Sequence, residues 1–319
     1  MAVEKRKKSG SKSPKEIRKE SEDTSHDRLP EQPSGFRWGA TLRHSIMRMI
    51  IIGLLIYTLQ VVYNKDLPTL AKQDEEIEAR IFDRNCSKDY REDRKKFKEC
   101  APHHCGRGVM DKLLTREEAQ TLLKVAKSGL AYGGSTGGAS ILDLNTGALS
   151  KGTSFINIYK LLEDKGITDV FSEKDFQVYK SVSTKIRMAI ATQFRVPYAK
   201  LYLTSPTFFS KMTNKPAKTI HDEYWHLHVD KETYSTFDYT SLLYLTDYKE
   251  DFQGGRFVFV DSNGNKTVEP KFGRVSFFTS GSENAHYVEK VTDGTRYALT
   301  VSFTCDPSKA IQALMGRNS

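Results

Sequence analysis

The spacing of hydrophobic residues along the chain changes near Pro197. Before this residue, apolar side chains recur three and four positions apart, which is the spacing of amphipathic helices. After it, apolar and polar residues alternate in short runs separated by turn signals, which is typical of strands. Helices therefore come first and strands follow. This order favours an α+β protein with a curved antiparallel sheet or double-sheet barrel and helices packed outside it.

Two helix starts carry a capping signal. The segment 115–118 reads Thr-Arg-Glu-Glu, a capping box, and apolar residues at helical spacing follow it to Leu130. Ser172 and Asp175 open another helix in the same way, and its apolar stripe extends beyond them at helical spacing. We also predict a helix over 153–164.

The strand-rich half contains six alternating segments. They are AKLYLTS (199–205), YTSLLYLTD (239–247), GRFVFV (255–260), RVSFFTS (274–280), AHYVEKV (285–291) and RYALTVSFT (296–304). In the last segment, Arg296, Ala298, Thr300 and Ser302 share a small polar face, whereas the other face is bulky and apolar. The Asp293-Gly294 pair predicts a turn before this strand.

One apolar segment, IMRMIIIGLLIYTLQVVY at 46–63, has neither period. After Arg48 it contains 15 residues without a charge, and the whole segment spans ~27 Å as a helix against a hydrocarbon core of ~30 Å. Residues 1–48 hold 12 Lys and Arg against 7 Asp and Glu. We therefore predict a transmembrane signal anchor in a type II membrane protein. Its N-terminus is expected in the cytosol and its body in the lumen of the endoplasmic reticulum. A buried core helix is the alternative.

The net charge of +9 is uneven, with +5 in the first 48 residues and +4 in the other 271. The folded part is thus nearly balanced, which argues against nucleic-acid binding. The prediction is a disordered cytosolic tail (1–45), the anchor (46–63), a stem and cysteine-containing segment (64–109), a helical support region (110–196), a strand-rich domain (197–307) and a tail (308–319). The stem is expected to be partly helical through EEIEARIF.

The four cysteines are Cys86, Cys100, Cys105 and Cys305. An even number in an oxidising compartment predicts two disulfides, and three pairings are open. The run CAPHHC at 100–105 is an alternative half of a zinc site. Asn85 and Asn265 begin two N-glycosylation sequons.

The densest group of potential metal ligands is His226-Leu-His228-Val-Asp230. On a strand, residues two apart point to the same face, so His228 and Asp230 converge. A third ligand must come from another strand, and His286 opens one. Two imidazoles and one carboxylate form the facial triad of non-haem Fe(II) oxygenases. A hydrogen-bonded core pair, a catalytic zinc site and a cupin-like site beginning at His226 are the alternatives, although the sequence has no His-Glu-x-x-His pattern to supply the general base of a zinc hydrolase.

Arg296 follows the third histidine by ten residues. A guanidinium inside a barrel is costly unless it is paired, and no acidic residue shares its strand face. A diffusible carboxylate is therefore a natural partner, because Arg can bind one through two parallel hydrogen bonds.

On these residues, the span 221–307 resembles the iron- and 2-oxoglutarate-dependent dioxygenases of the prolyl hydroxylase branch. The His-x-Asp at 228–230, the distal His286 and Arg296 match the pattern of that family. The phrases DYTSLLYLTD, FQGGRFVF and FFTSGSENAHYVEKVTDGTRYALTVSFTCDP are similar to the catalytic domains of leprecan-type prolyl 3-hydroxylases.

The resemblance implies a double-stranded β-helix, or jelly roll, in which His228, Asp230 and His286 hold Fe(II). It implies hydroxylation of a side chain, with proline expected, in a protein or peptide substrate of the secretory lumen. The reaction would convert 2-oxoglutarate to succinate and CO2. A catalytically silent oxygenase-fold binding protein and a membrane-tethered interaction module are the alternative functions.

The resemblance also implies the co-substrate site. Arg296 would bind the far carboxylate of 2-oxoglutarate, and a strand residue, Tyr244 or Thr300, would lie beside it. Ascorbate would return oxidised iron to Fe(II).

Overall fold

The computed structural model describes residues 38–63 and 68–311. The chain divides into two units, one before residue 66 and one from Asp66 onwards. The first 37 residues of the predicted cytosolic tail lie outside the described residues, and so do residues 312–319 of the predicted C-terminal tail.

The first unit contains the helix α1 (Trp38–Tyr63), whose large hydrophobic side chains between Leu42 and Tyr57 are exposed. Of the helices described, none combines the length and the apolar character needed to cross a bilayer. The prediction of a transmembrane anchor over 46–63 is therefore wrong, and so is the predicted type II topology with a lumenal body. The uncharged run begins only after Arg48, and its 15 residues span ~22 Å of helix, less than a hydrocarbon core of ~30 Å.

The second unit begins with short strands and four helices that support the barrel. In chain order they are β1 (Thr69–Ala71), β2 (Arg80–Arg84), α2 (Arg91–Lys96), β3 (Cys105–Met110), α3 (Arg116–Leu130), β4 (Gly134–Ser135), β5 (Ala139–Leu142), β6 (Ala148–Gly152), β7 (Ser154–Asn157), α4 (Ile158–Asp164) and α5 (Glu173–Gln193). The strand-rich half follows. It consists of β8 (Tyr202–Thr213), α6 (Asp230–Thr233), β9 (Tyr239–Tyr244), β10 (Phe252–Gly254), β11 (Phe257–Phe259), β12 (Lys266–Val268), β13 (Val275–Thr279), β14 (His286–Val288) and β15 (Val291–Thr304).

Two sheets face each other in this unit. The larger has the order β2-β3-β13-β9-β15-β8-β5-β6-β4, and the smaller has the order β1-β12-β11-β14. From β8 onwards the chain passes repeatedly from one sheet to the other. An isolated bridge from His228 to His286 extends the smaller sheet. Mainly antiparallel strands that wind between two facing sheets in this way form a double-stranded β-helix. The predicted fold of the strand-rich half is thus confirmed.

Two apolar clusters hold the fold together. One lies between the helices and the outer face of the large sheet, and it includes Leu299 and Val301 of β15. The other lies between the two sheets and includes Ala298 of the same strand. The alternation predicted for this strand therefore places its bulky face outside, under the helices, and its small polar face inside the barrel. Burying each large side chain contributes ~1.5–3 kcal/mol.

Both predicted capping boxes are present. The Thr115 hydroxyl accepts the Glu118 N–H at the start of α3, and the Ser172 hydroxyl accepts the Asp175 N–H at the start of α5. Each acidic side chain accepts the backbone N–H of its capping partner in return. Such caps contribute ~1 kcal/mol each, and they fix where the two main supporting helices begin.

Three local predictions are wrong, each because a sheet pairs with the segment. EEIEARIF is not helical, since β2 pairs with β3 over Arg80 to Arg84. The segment 153–164 begins as β7, paired with β6, and becomes helical only at Ile158. The Asp293-Gly294 pair makes no turn, because β15 runs through it and β10 pairs with it.

The four cysteines form two disulfides, Cys86–Cys105 and Cys100–Cys305. The prediction of two disulfides is confirmed, the open pairing is resolved, and the half zinc site is wrong because all four thiols are used. The second bond joins the segment around α2 to the residue that follows β15. The predicted stem thus packs against the barrel instead of leading away from it.

Candidate metal and co-substrate site

Three predicted metal ligands come together at one end of the barrel. His286 is the first residue of β14, and Asp230 is the first residue of α6. His228 lies outside any strand, but it exchanges two backbone hydrogen bonds of 3.0 Å with His286. The potential ligand atoms of the three residues all lie within 4.8 Å of one another. The side chains of His228 and Asp230 converge as predicted. The chain, however, turns into α6 after Val229 instead of continuing as a strand.

Backbone carbonyls orient both imidazoles. Nδ1 of His228 lies 3.0 Å from the carbonyl oxygen of His226, and Nδ1 of His286 lies 2.8 Å from that of Asn284. A carbonyl oxygen only accepts, so each Nδ1 donates and Nε2 is the ring atom left to face a metal. Both Nε2 atoms lie 3.7 Å from Oδ1 of Asp230. The arrangement brings one potential ligand atom of each residue to the same place.

The carboxylate of Asp230 is held from its other side. Oδ2 accepts a hydrogen bond of 2.6 Å from the Thr240 hydroxyl, which lies 2.9 Å from the Ser280 hydroxyl. Oδ1 is left to face the two imidazoles. Sequence analysis missed Thr240 and Ser280, although the alternation of β9 already put Thr240 on the same face as Tyr244.

The site is electrically suited to a divalent cation. His286 is buried, and burial lowers its pKa to about 4, so the imidazole is neutral at physiological pH. Two imidazoles and one carboxylate make a donor set with the composition of the facial triad that binds non-haem Fe(II). The residues present therefore fit that ion.

Arg296 lies inside the barrel and is only 1% exposed. Its Nε donates to the carbonyl oxygen of Gly255 at 2.9 Å, and Nη1 lies 3.7 Å from the sulfur of Met212. Its Nη2 has no hydrogen-bond partner among the residues that the structure describes. Burial lowers the pKa of the guanidinium, because desolvation disfavours its charged form. An anion that enters the barrel would supply the missing partner.

The two candidate neighbours of the co-substrate lie on adjacent rungs of the sheet. Tyr244 is opposite Ala298, and Thr300 is opposite Leu242. Tyr244 is fully buried, its hydroxyl lies 3.0 Å from that of Ser276, and its ring contacts the guanidinium. Burial raises the pKa of this phenol. Thr300 is half-buried. Both positions face the interior of the barrel.

The segment before His228 forms a rim beside the triad. The Tyr224 hydroxyl accepts the Val291 N–H at 2.9 Å, and Lys290 Nζ lies 3.9 Å from the centroid of the Trp225 ring. His226 is exposed and lies 2.5 Å from Glu223, so the structure does not bring it into the triad. This placement disfavours the cupin-like alternative.

The two sequons lie on segments that do not carry the triad. Asn85 is exposed, and Asn265 is half-buried in the turn before β12. Thr267 of the second sequon is buried and donates to the Thr69 hydroxyl at 3.1 Å. Glycosylation of either asparagine stays a prediction.

Comparisons with known proteins agree with this site. The family model of the 2OG-Fe(II) oxygenase superfamily matches residues 215–304, which include the triad and Arg296. Two similar proteins are named 2-oxoglutarate and iron-dependent oxygenase domain-containing protein 3. The one from Xenopus tropicalis is 56% identical over 76% of each chain, and the one from Homo sapiens is 51% identical over 82% of each chain. Prolyl 3-hydroxylase 2 from Homo sapiens is 43% identical over 77 residues, which are 23% of this chain and 10% of that protein.

The similarity to the first two relatives extends over most of both chains, well beyond the barrel. The superfamily uses Fe(II) and 2-oxoglutarate, which agrees with the donor set of the triad and with the buried guanidinium. The chain therefore belongs to the 2OG-Fe(II) oxygenase superfamily and is a 2-oxoglutarate-dependent dioxygenase.

Proposed function

We propose that this dioxygenase hydroxylates a side chain of a protein or peptide substrate, with proline as the residue modified, and releases succinate and CO2. The observation that carries the co-substrate part is the buried Arg296 guanidinium with its Nη2 unpartnered. A buried cation of this kind is costly without an anion, and 2-oxoglutarate is a dianion small enough to enter a barrel.

His228, Asp230 and His286 would hold Fe(II), which supplies the oxidative chemistry when bound. The protein's own residues prepare the site. The carbonyl oxygens of His226 and Asn284 fix the imidazole tautomers, and Thr240 orients the carboxylate. Ascorbate would keep the iron in the ferrous state.

Arg296 would bind the far carboxylate of 2-oxoglutarate. Its Nε already donates to Gly255, so Nη1 and Nη2 are the atoms placed to donate to a carboxylate. Tyr244 would lie beside this carboxylate, since its ring already contacts the guanidinium, with Thr300 as the neighbouring candidate.

Two observations support a peptide as the prime substrate. A prolyl 3-hydroxylase is 43% identical to this chain over 77 residues. The rim beside His228 also offers apolar surface to a partner, because the Leu227 side chain is 58% exposed and Trp225 is half-buried next to it. Aromatic surface of this kind suits proline-rich extended peptides.

The test uses the purified full chain with Fe(II), ascorbate, 2-oxoglutarate and oxygen, with and without a pool of proline-containing peptides. We expect succinate, and a peptide that gains one oxygen on proline. His228→Ala should abolish both, whereas the exposed neighbour variant His226→Ala should retain both. Peptide oxidation on another residue would overturn the proline assignment. Folded, iron-loaded protein that never forms succinate would favour the silent binding protein.

A further inference from the structure

A buried lysine directly follows the metal ligand Asp230. Lys231 is 8% exposed, and its ammonium lies among four oxygen atoms. Nζ is 2.7 Å from Oδ2 of Asp93 and 3.1 Å from Oδ1 of Asp238, and it also donates to the carbonyl oxygens of Phe237 and Ser235. Burying an ammonium group is costly unless oxygen atoms pair with it, so these four partners are needed to keep Lys231 at this position.

The partners come from distant parts of the chain. Asp93 belongs to α2, in the segment between Cys86 and Cys105, and it lies outside the region matched by the family model. Asp238 precedes β9, and its Oδ2 accepts the N–H of Cys305 at 2.7 Å. The two disulfides thus tie both acidic partners of the lysine to the frame of the barrel.

The lysine and the metal ligand share a second connection. The Lys231 N–H donates to the carbonyl oxygen of Ser280 at 3.0 Å, and the hydroxyl of Ser280 lies 2.9 Å from that of Thr240. Thr240 in turn donates to Oδ2 of Asp230. Asp230 and Lys231 are therefore held by one closed network of buried polar groups, so a shift of the lysine would move the carboxylate.

We infer that Lys231 is a positioning residue for Asp230, and that Asp93 on the disulfide-bound helix α2 fixes it there. The segment between Cys86 and Cys105, which contains α2, would then help to position a metal ligand in addition to stabilising the barrel. This inference rests on the proposed ligand set His228, Asp230 and His286. Supporting residues around a metal ligand change metal affinity by ~10–100-fold when they are lost.

The test measures metal binding by the full chain, with Fe(II) under argon and with Co(II) as a spectroscopic probe. Asp93→Asn keeps the shape of the side chain and removes its charge, and Lys231→Met removes the ammonium. We expect each to weaken metal binding ~10-fold or more, and Lys231→Arg to restore most of the affinity. Lys95→Met is the matched control on α2, because Lys95 pairs with Glu92 at the surface. It should bind metal like the parent chain.

A purely structural role makes a different prediction. The variants would then lose unfolding free energy but bind metal as tightly as the parent, with an unchanged Co(II) absorption spectrum at saturation. That result would overturn the inference. If Lys231→Met does not fold, Asp93→Asn carries the test, since Asp93 is partly exposed. The same experiment separates this result from an error in the ligand set. If the parent chain binds no more metal than His228→Ala, both the ligand set and the positioning role of Lys231 are overturned.

Discussion

The ring of Tyr244 lies beside the buried guanidinium of Arg296, with 5.5 Å between the guanidinium carbon and the ring centroid. The phenol hydroxyl is bonded to Ser276 and does not neutralise the cation. The barrel therefore encloses a positive charge that has an aromatic neighbour but no acid within ion-pair distance among the described residues. A site of this kind is preorganised for an anionic co-substrate, because a buried cation without an acidic partner costs stability.

Arg296→Gln should weaken 2-oxoglutarate binding by at least ~30-fold, because losing one partner of a buried charged hydrogen bond costs ~2–5 kcal/mol. The free energy of unfolding of the ligand-free variant should not fall, since an uncompensated buried cation is removed. Titration with 2-oxoglutarate and urea unfolding measure the two effects. Arg256→Gln is the control, because Arg256 is already paired with Glu289. Parent-like affinity in Arg296→Gln would contradict the assigned role.

Tyr244→Phe and Thr300→Val separate the two candidates for the co-substrate neighbour. Tyr244→Phe keeps the ring that contacts the guanidinium and removes only the hydroxyl. We expect it to weaken 2-oxoglutarate binding ~2–10-fold, the worth of one hydrogen bond from that hydroxyl to the co-substrate. Thr300 lies on the adjacent rung, opposite Leu242, and its variant should bind 2-oxoglutarate like the parent. Equilibrium titration of both variants with 2-oxoglutarate measures the two affinities. If Thr300→Val binds 2-oxoglutarate more weakly than Tyr244→Phe, Thr300 is the neighbour of the co-substrate.

Thr240→Val should weaken Fe(II) binding ~10–100-fold, because Asp230 loses the donor that orients its carboxylate. Asp230→Ala should reduce it further, since the site loses its anionic ligand. Metal content and Co(II) titration are the measurements. Ser241→Ala is a matched control on the same strand, as its hydroxyl donates to Val301 on the opposite face. Full metal content in Asp230→Ala would exclude the proposed ligand set.

Local signals predicted the parts of the fold that neighbouring residues determine. Capping boxes at Thr115 and Ser172 depend on side chains three positions away, and they are present as expected. The alternation in β15 depends on the strand period alone, so it placed Arg296 inside the barrel and Leu299 outside. The fold class followed from the same patterns.

The strands β1 and β3 form by pairing with distant strands, and no local sequence pattern predicts this pairing. Thr69 of β1 pairs with Thr267, and Gly108 of β3 lies opposite Phe277. A side chain at Gly108 would meet the Phe277 ring, so the glycine serves a contact far along the chain. Sequence analysis therefore interpreted this segment as a stem, because its pairing is set by tertiary structure.

The supporting residues of the site were missed for a related reason. Thr240, Ser280 and Lys231 carry no motif, and their roles arise from hydrogen bonds between separate elements. The ligands His228 and Asp230 were found because their two-residue spacing has a chemical meaning of its own.

The two disulfides should differ in their effect on stability. Cys100–Cys305 joins residues 205 positions apart, whereas Cys86–Cys105 joins residues 19 apart. If a disulfide acts mainly by restricting the unfolded chain, the first contributes ~5 kcal/mol and the second ~3 kcal/mol. Urea unfolding of Cys100→Ala/Cys305→Ala and Cys86→Ala/Cys105→Ala would measure this difference. An equal loss in both double variants would instead mean that native contacts around α2, and not the length of the closed loop, determine what each bond contributes.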